Sequence, residues 1–156
     1  MTTTATIRPT SIKYNGTGRA DYSKVSDDND STYVEWGSGD NNKRDEYYLG
    51  DLPGAAYSVT KVEFTSRLKT TGNSDETDTI FDKDNNTIKE VTISCNNTTK
   101  NNSGSSSTIR TVAAINGAWT RCQPYGIDWL KKSRQLDTWA VVTYWTVTEA
   151  KQHFQL

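Results

Sequence analysis

The chain has 156 residues, 33% of them apolar, and a net charge of -1 from 18 basic and 19 acidic side chains. This balance, with no strong Lys/Arg cluster, argues against a surface that tracks phosphates, and no apolar run approaches the roughly 20 residues of a membrane span, so neither nucleic acid nor membrane is an expected partner. One domain, residues 1–156, is expected from the length; the mean hydropathy of -0.79 predicts a thin core between stacked sheets, filled largely by five Trp, eight Tyr and three Phe that bury roughly 150–250 Å² each.

Residues 1–10 are Thr-rich and lack the basic-then-apolar pattern of a signal peptide, which predicts an extended N-terminal arm on a chain made in the cytosol. After the turn Asn15-Gly16-Thr17-Gly18, the acidic stretch Asp27-Asp28-Asn29-Asp30 enters an alternation of Tyr33 and Glu35 with Val34 and Trp36, the pattern of a turn leading into a strand. Tyr47-Tyr48-Leu49-Gly50-Asp51-Leu52-Pro53 then precedes a long period-two run. There Val62, Phe64, Ser66 and Leu68 face one way and Lys61, Glu63, Thr65, Arg67 and Lys69 the other, as in a strand with one buried and one wet face.

Further along, Asp82-Lys83-Asp84-Asn85-Asn86-Thr87 begins like an oxygen-ligand loop, with Asp82, Asp84 and Asn86 as candidate metal ligands. It lacks the sharp-turn Gly at its sixth position and the bidentate Glu at its twelfth, so it reads as a hydrogen-bonded Asx-type turn. Residues 27–30 read the same way, and no metal or other cofactor is expected. Val91, Ile93 and Cys95 alternate with Glu90, Thr92 and Ser94 as a further strand. Residues 96–107, rich in Asn and Ser, predict a flexible loop. Residues 109–115 predict a strand with Ile109, Ala113 and Ile115 in phase. Residues 128–132 predict at most one helical turn, and the basic run Lys131-Lys132-Ser133-Arg134 a solvated turn. The strongest strand signal is residues 139–147. Trp139 and Trp145 read there as core in phase with Val141, and the Val142/Tyr144 row requires either a central strand or a covering neighbour. Residues 148–154 predict a strand end or a short helix. Many short strands joined by turns predict an all-β, jelly-roll-like antiparallel sandwich.

Catalytic chemistry is poorly provided for. The single His, His153, lies near the C-terminus and reads as a surface residue, no nucleophile elbow or phosphate loop occurs, and the acids sit in turns, so the chain reads as a non-enzyme. Cys95 reads as a small buried hydrophobe; its pairing with Cys122 stays open. Trp36, Trp119 and Trp129, near strand ends or loops, are candidates for stacking on a sugar ring.

Four segments together resemble small jelly-roll proteins of tailed-bacteriophage virions: Ile7-Arg8-Pro9-Thr10, the Asp28-Asn29-Asp30-Ser31-Thr32-Tyr33-Val34 turn, Tyr48-Leu49-Gly50-Asp51-Leu52-Pro53-Gly54 with the alternating strand after it, and Pro124-Tyr125-Gly126-Ile127-Asp128-Trp129 before the last strand. The resemblance covers roughly residues 7–148. It implies a non-enzymatic virion structural protein, a head-decoration or tail-appendage subunit. Such a protein would act through contacts with other virion proteins and with copies of itself. Thr2, Ile7, Pro9, Trp36, Tyr47, Tyr48 and Tyr144 are the expected contact residues. The alternative is a carbohydrate-binding or host-attachment module whose partner is a surface glycan.

Overall fold

The structure is a computed structural model that describes residues 2–154. It contains eleven strands: β1 (Thr3–Ile7), β2 (Pro9–Asn15), β3 (Val34–Trp36), β4 (Asp45–Leu49), β5 (Ala56–Thr70), β6 (Asn73–Phe81), β7 (Thr87–Asn96), β8 (Thr99–Ser106), β9 (Arg110–Thr111), β10 (Trp119–Tyr125) and β11 (Ser133–Thr146). Two short α-helices, α1 (Val112–Ile115) and α2 (Val147–Phe154), and two 3-10 turns, Tyr22–Lys24 and Ser38–Asp40, accompany them. The strands form two antiparallel sheets. The first runs β1-β11-β5-β8, with β3 also on β11 and β9 also on β5; the second runs β2-β4-β10-β6-β7. Their inner faces close on one another, and the chain is an all-β, jelly-roll-like sandwich.

The long strand β5 carries the predicted alternation. Val62, Phe64, Ser66 and Leu68 are buried, while Lys61 and Lys69 face water. A register slip opposite Thr143 and Tyr144 brings Val59 back to the inner face, as a bulge does when it inserts one residue into a ladder. In β7, Val91, Ile93 and Cys95 point inward and Thr92 and Ser94 outward. The core falls into two apolar clusters, one around Phe64, Ile80, Val142 and Tyr144, the other around Trp36, Tyr47, Leu68 and Ile93. Between them runs a band of buried polar side chains that includes Ser66, Glu76, Asp78, Thr120, Gln135 and Thr138.

Four sequence expectations are corrected. Residues 1–10 are not a free arm: Thr3 to Ile7 pair with Tyr144 to Ala140, and β-branched threonines suit a ladder position as well as a loose tail. Residues 96–107 are largely strand. β8 pairs with β5 from Thr99 opposite Lys69 to Ser106 opposite Val62, with most of its side chains in water; β5 supplies the hydrogen-bonding edge that the Asn/Ser composition does not advertise. Of residues 109–115 only Arg110–Thr111 is strand; α1 follows, capped by Thr111 Oγ1, which accepts from Ala114 N at 3.2 Å. In β11 the inward row is Ala140, Val142 and Tyr144, while Trp139, Val141 and Trp145 lie on the outer face. The strand is nevertheless internal to its sheet, between β1 and β5.

The last element, α2, agrees with one of the two readings of residues 148–154. Thr146 and Glu149 cap it reciprocally: Thr146 N donates to Glu149 Oε2 at 2.8 Å and Glu149 N to Thr146 Oγ1 at 3.1 Å. The side chain of His153 lies outside the described residues. Cys95 and Cys122 are both buried and both free thiols.

Candidate functional site

Burial decides which of the predicted site residues can touch anything. Trp36 is fully buried, and its indole N–H donates to Asp45 Oδ2 at 3.1 Å. Asp45 is also held by Thr17, whose hydroxyl donates at 2.7 Å; burial nonetheless pushes the Asp45 carboxyl up, against the pull of its Thr17 and Trp36 donors. Tyr47 is fully buried, and its hydroxyl oxygen accepts from Asp21 N at 3.2 Å. Ile7, Pro9 and Tyr144 are buried as well. Trp119 is 4% exposed and stacks on Phe81 at 4.1 Å between centroids, with its N–H on Asn85 Oδ1 and Lys13 Nζ over its ring. These six side chains are therefore withdrawn as contact or stacking residues. Thr2 and Tyr48 remain exposed. Of the three candidate indoles, only Trp129 faces water, at 79% exposure, as does its neighbour Leu130.

The candidate metal ligands form a turn. Asp82 Oδ1 accepts from Asp84 N at 2.8 Å and Asn86 N at 2.9 Å, and Oδ2 accepts from the Asn86 amide at 3.1 Å. This is the Asx-type turn that the spacing predicts; it closes the β6–β7 hairpin, with Asn85 in the left-handed region. The acidic turn before β3 is similar. Asp27 accepts from Asn29 N and from the Thr32 hydroxyl, and Asp30 takes both ends of the Arg67 guanidinium at 2.9 and 2.6 Å, which holds the Asp30 carboxyl below the usual carboxylate range.

Trp129 and Leu130 project from the loop between β10 and β11. Gly126 and Leu130 adopt positive φ, and five hydrogen bonds fix the loop's base. Asn41 Oδ1 accepts from Ile127 N at 2.9 Å while the Asn41 amide donates to Ile127 O at 3.1 Å. Lys131 N donates to Asp128 O at 3.0 Å. Thr71 Oγ1 accepts from Lys132 N at 2.9 Å and Thr71 N donates to Lys132 O at 3.0 Å. Two large apolar side chains are thus held in water on a stapled loop, and such a feature calls for a ligand or partner.

They line a cleft of about 470 Å³ whose other walls are Thr17, Arg19, the Gly37-Ser38-Gly39-Asp40 turn, Lys43, Lys131 and Lys132. Its one acid, Asp40, is buried and already bonded to Arg19 Nε at 3.1 Å and to Gly37 N at 2.9 Å. The lysines are left to face a ligand. Lys43 also lines a second cleft of about 230 Å³ with Tyr14, Gly16, Asn42, Arg44 and Gln123, where Tyr14 is half exposed and Arg44 lies 5.2 Å over its ring. Trp129 and Tyr14 therefore mark two ends of one cationic strip. The sequence offers Trp129 among three indistinguishable indoles. It gives no sign of Arg19, Lys43 or the glycine turn, which come from distant segments.

One further group escapes the sequence reading. Glu76, Asp78 and Cys122 are fully buried and bring their ligating atoms within 4.8 Å of one another. Their signal is the row Ser74, Glu76, Asp78, Ile80, where acids share a strand phase with an apolar residue. With no exposure, this carboxyl pair touches no substrate.

No protein-family model matches the chain, and no curated protein matches it. Several solved structures do. A truncated AlyQ with CBM32 and alginate lyase domains is 14% identical with a TM-score of 0.50, over 93% of this chain and 35% of that one. The C-terminal CBM6 of LamC, a marine laminarinase from Zobellia galactanivorans, is 12% identical with a TM-score of 0.45, over 90% and 99%. The CBM36-1 domain of a multidomain xylanase from the hindgut metagenome of Trinervitermes trinervoides is 10% identical with a TM-score of 0.44, over 90% and 96%. The shared property is the fold.

Proposed function

We propose that this chain is a non-catalytic carbohydrate-binding module, and that the strip from Trp129 to Tyr14 binds an acidic glycan. The observation that carries the reading is Trp129: an indole 79% exposed, fixed on a hydrogen-bonded loop, at the wall of a cleft of about 470 Å³. A large rigid ring buries area on one face of a sugar at little entropic cost. Lys43, Lys131 and Lys132 surround it with donors for carboxylate or sulfate groups, and the cleft's one acid, Asp40, is paired with Arg19. A solved structure with a CBM32 domain shares the fold at a TM-score of 0.50, which agrees with this reading.

The test is calorimetric and fluorescence titration with oligouronates and with neutral oligosaccharides of equal length. Acidic oligomers should bind, with affinity that falls as salt rises. Trp129→Ala should weaken binding about tenfold or more, equivalent to about 1.4 kcal/mol, without changing the melting temperature. Silence towards both classes across a broad panel sinks the proposal.

A second reading is the virion structural protein suggested by the sequence motifs. The observation favouring it is a different exposed apolar region: Tyr57, Ile109 and Val147 are 49%, 67% and 42% exposed at the end of β5 and β11 remote from Trp129. On this reading light scattering gives a defined oligomer, or saturable binding to particles lacking the chain, and Ile109→Ser with Tyr57→Ser abolishes it; a monomer that ignores particles counts against it.

A further inference from the structure

We propose that Glu76, Asp78 and Cys122 form a buried site for a divalent cation, zinc before calcium, in the polar band between the two halves of the core. This goes beyond the glycan-binding reading and is independent of it. Glu76 and Asp78 alternate on β6, so both point between the sheets. Cys122 lies opposite Asp78 on β10, and the three ligating atoms fall within 4.8 Å of one another.

All three side chains are fully buried, and no Lys or Arg forms an ion pair with either acid among the described residues. Two carboxyls without a cation are costly in such a place, since an uncompensated buried charge costs several kcal/mol. Glu76 and Asp78 are close enough to share a hydrogen bond, and Ser66 and Gln135 also serve Asp78, while Gln135 Oε1 and Thr120 Oγ1 are buried without a hydrogen-bond partner. Gln135, on the opposite sheet, donates its amide to Asp78 Oδ2 and to Asp137 O, both at 3.3 Å. Two acids and a thiol brought together in the interior, with no basic residue paired to them among the described residues, form a donor set that suits a cation.

The donor set narrows the ion. Calcium and magnesium take oxygen ligands, whereas a thiolate beside carboxylates suits zinc and its tetrahedral, four-donor shell. Burial now favours the protonated forms: it pushes the Glu76 carboxyl up, with the Asp78 charge adding to the effect, and it pushes the Asp78 carboxyl and the Cys122 thiol up as well. A bound cation reverses that preference and releases the protons on binding. Because the site has no open side, the ion enters as the sheets close.

The full chain is unfolded in chelator and refolded with zinc, with calcium or with chelator alone. Zinc should bind at about one equivalent per chain and raise the melting temperature by several degrees. Cobalt(II) loading should give a near-ultraviolet thiolate charge-transfer band that Cys122→Ser removes. Glu76→Gln should lose the metal and melt lower. The proposal is overturned if refolding in chelator and in zinc gives the same melting temperature and no bound metal, or if calcium alone binds and the cobalt band is missing. It is likewise overturned if Glu76→Gln melts at or above the parent, since a neutral amide is then as good as the acid and a shared proton accounts for the pair. If Glu76→Gln fails to fold, the cobalt band of the parent and its loss in Cys122→Ser decide. Glycan binding by Trp129 stands or falls separately under the titration above.

Discussion

Asp137 is a carboxylate that its surroundings compensate only in part. It is 1% exposed on β11, with Arg8 Nη1 at 3.7 Å and Asp28 N donating at 3.4 Å. Burial raises its pKa to about 6, despite the Asp28 N–H and the Arg8 charge. An unfolded aspartate titrates near 4, so between roughly pH 4 and 6 the folded chain holds a proton that the unfolded chain has lost. Stability from this group is therefore greatest below that window and falls as pH rises through it. Asp137→Asn should raise the melting temperature at pH 7.5, by the equivalent of about 1–2 kcal/mol, and leave it nearly unchanged at pH 4. A variant that melts lower at both pH values rejects this account. The same scale shows why one indole could not be chosen from the sequence. Trp36 sits in a strand phase that turns inward, and Trp119 faces outward but is roofed by Lys13 and Phe81. Neither neighbour is near it in the chain.

At the scale of elements, legibility followed how unequal the two faces of a strand are. In β5 and β7 one face is apolar and the other polar, and the alternation placed both faces correctly. In β11 the outer row Trp139, Val141, Trp145 is as apolar as the inner row Ala140, Val142, Tyr144, so the pattern carries no phase. β1 and β8 were missed for another reason. Their pairing is a backbone property supplied by the neighbouring strands β11 and β5, and their Thr, Asn and Ser side chains add little to the core. This has a consequence for truncation. Removing residues 2–7 uncovers the β11 edge along five registered positions and takes away the buried Ile7, worth roughly 2–3 kcal/mol by itself. The truncated chain should melt lower and aggregate through its open edge, seen by thermal unfolding and light scattering. An unchanged melting temperature and a clean monomer would show β1 to be dispensable.

Two of the exposed apolar features, Trp129 with Leu130 and Tyr57 with Ile109 and Val147, lie at opposite ends of the molecule. β11 starts beside the Trp129 loop and ends at Val147; its 14 residues at about 3.3 Å each separate those ends by roughly 45 Å. Substituting Ile109 should therefore leave glycan affinity untouched, and substituting Trp129 should leave the mass in solution untouched. If either change moves both readouts, the two features are not independent. The all-β class and single-sandwich architecture were legible because turn chemistry and period-two runs are local signals. The strip was not, because Arg19, Lys43 and Trp129 meet only once the sheets stack. The polar band through the middle has the widest reach. It leaves the sandwich with two half-cores on either side of a hydrophilic partition, bridged by strands that serve both: β4 through Leu49 and Tyr47, β5 through Phe64 and Leu68, and β7 through Val91 and Ile93. A large-to-small change at Phe64 should therefore be felt first in its own half, with these shared strands as its route to the half that carries the cleft.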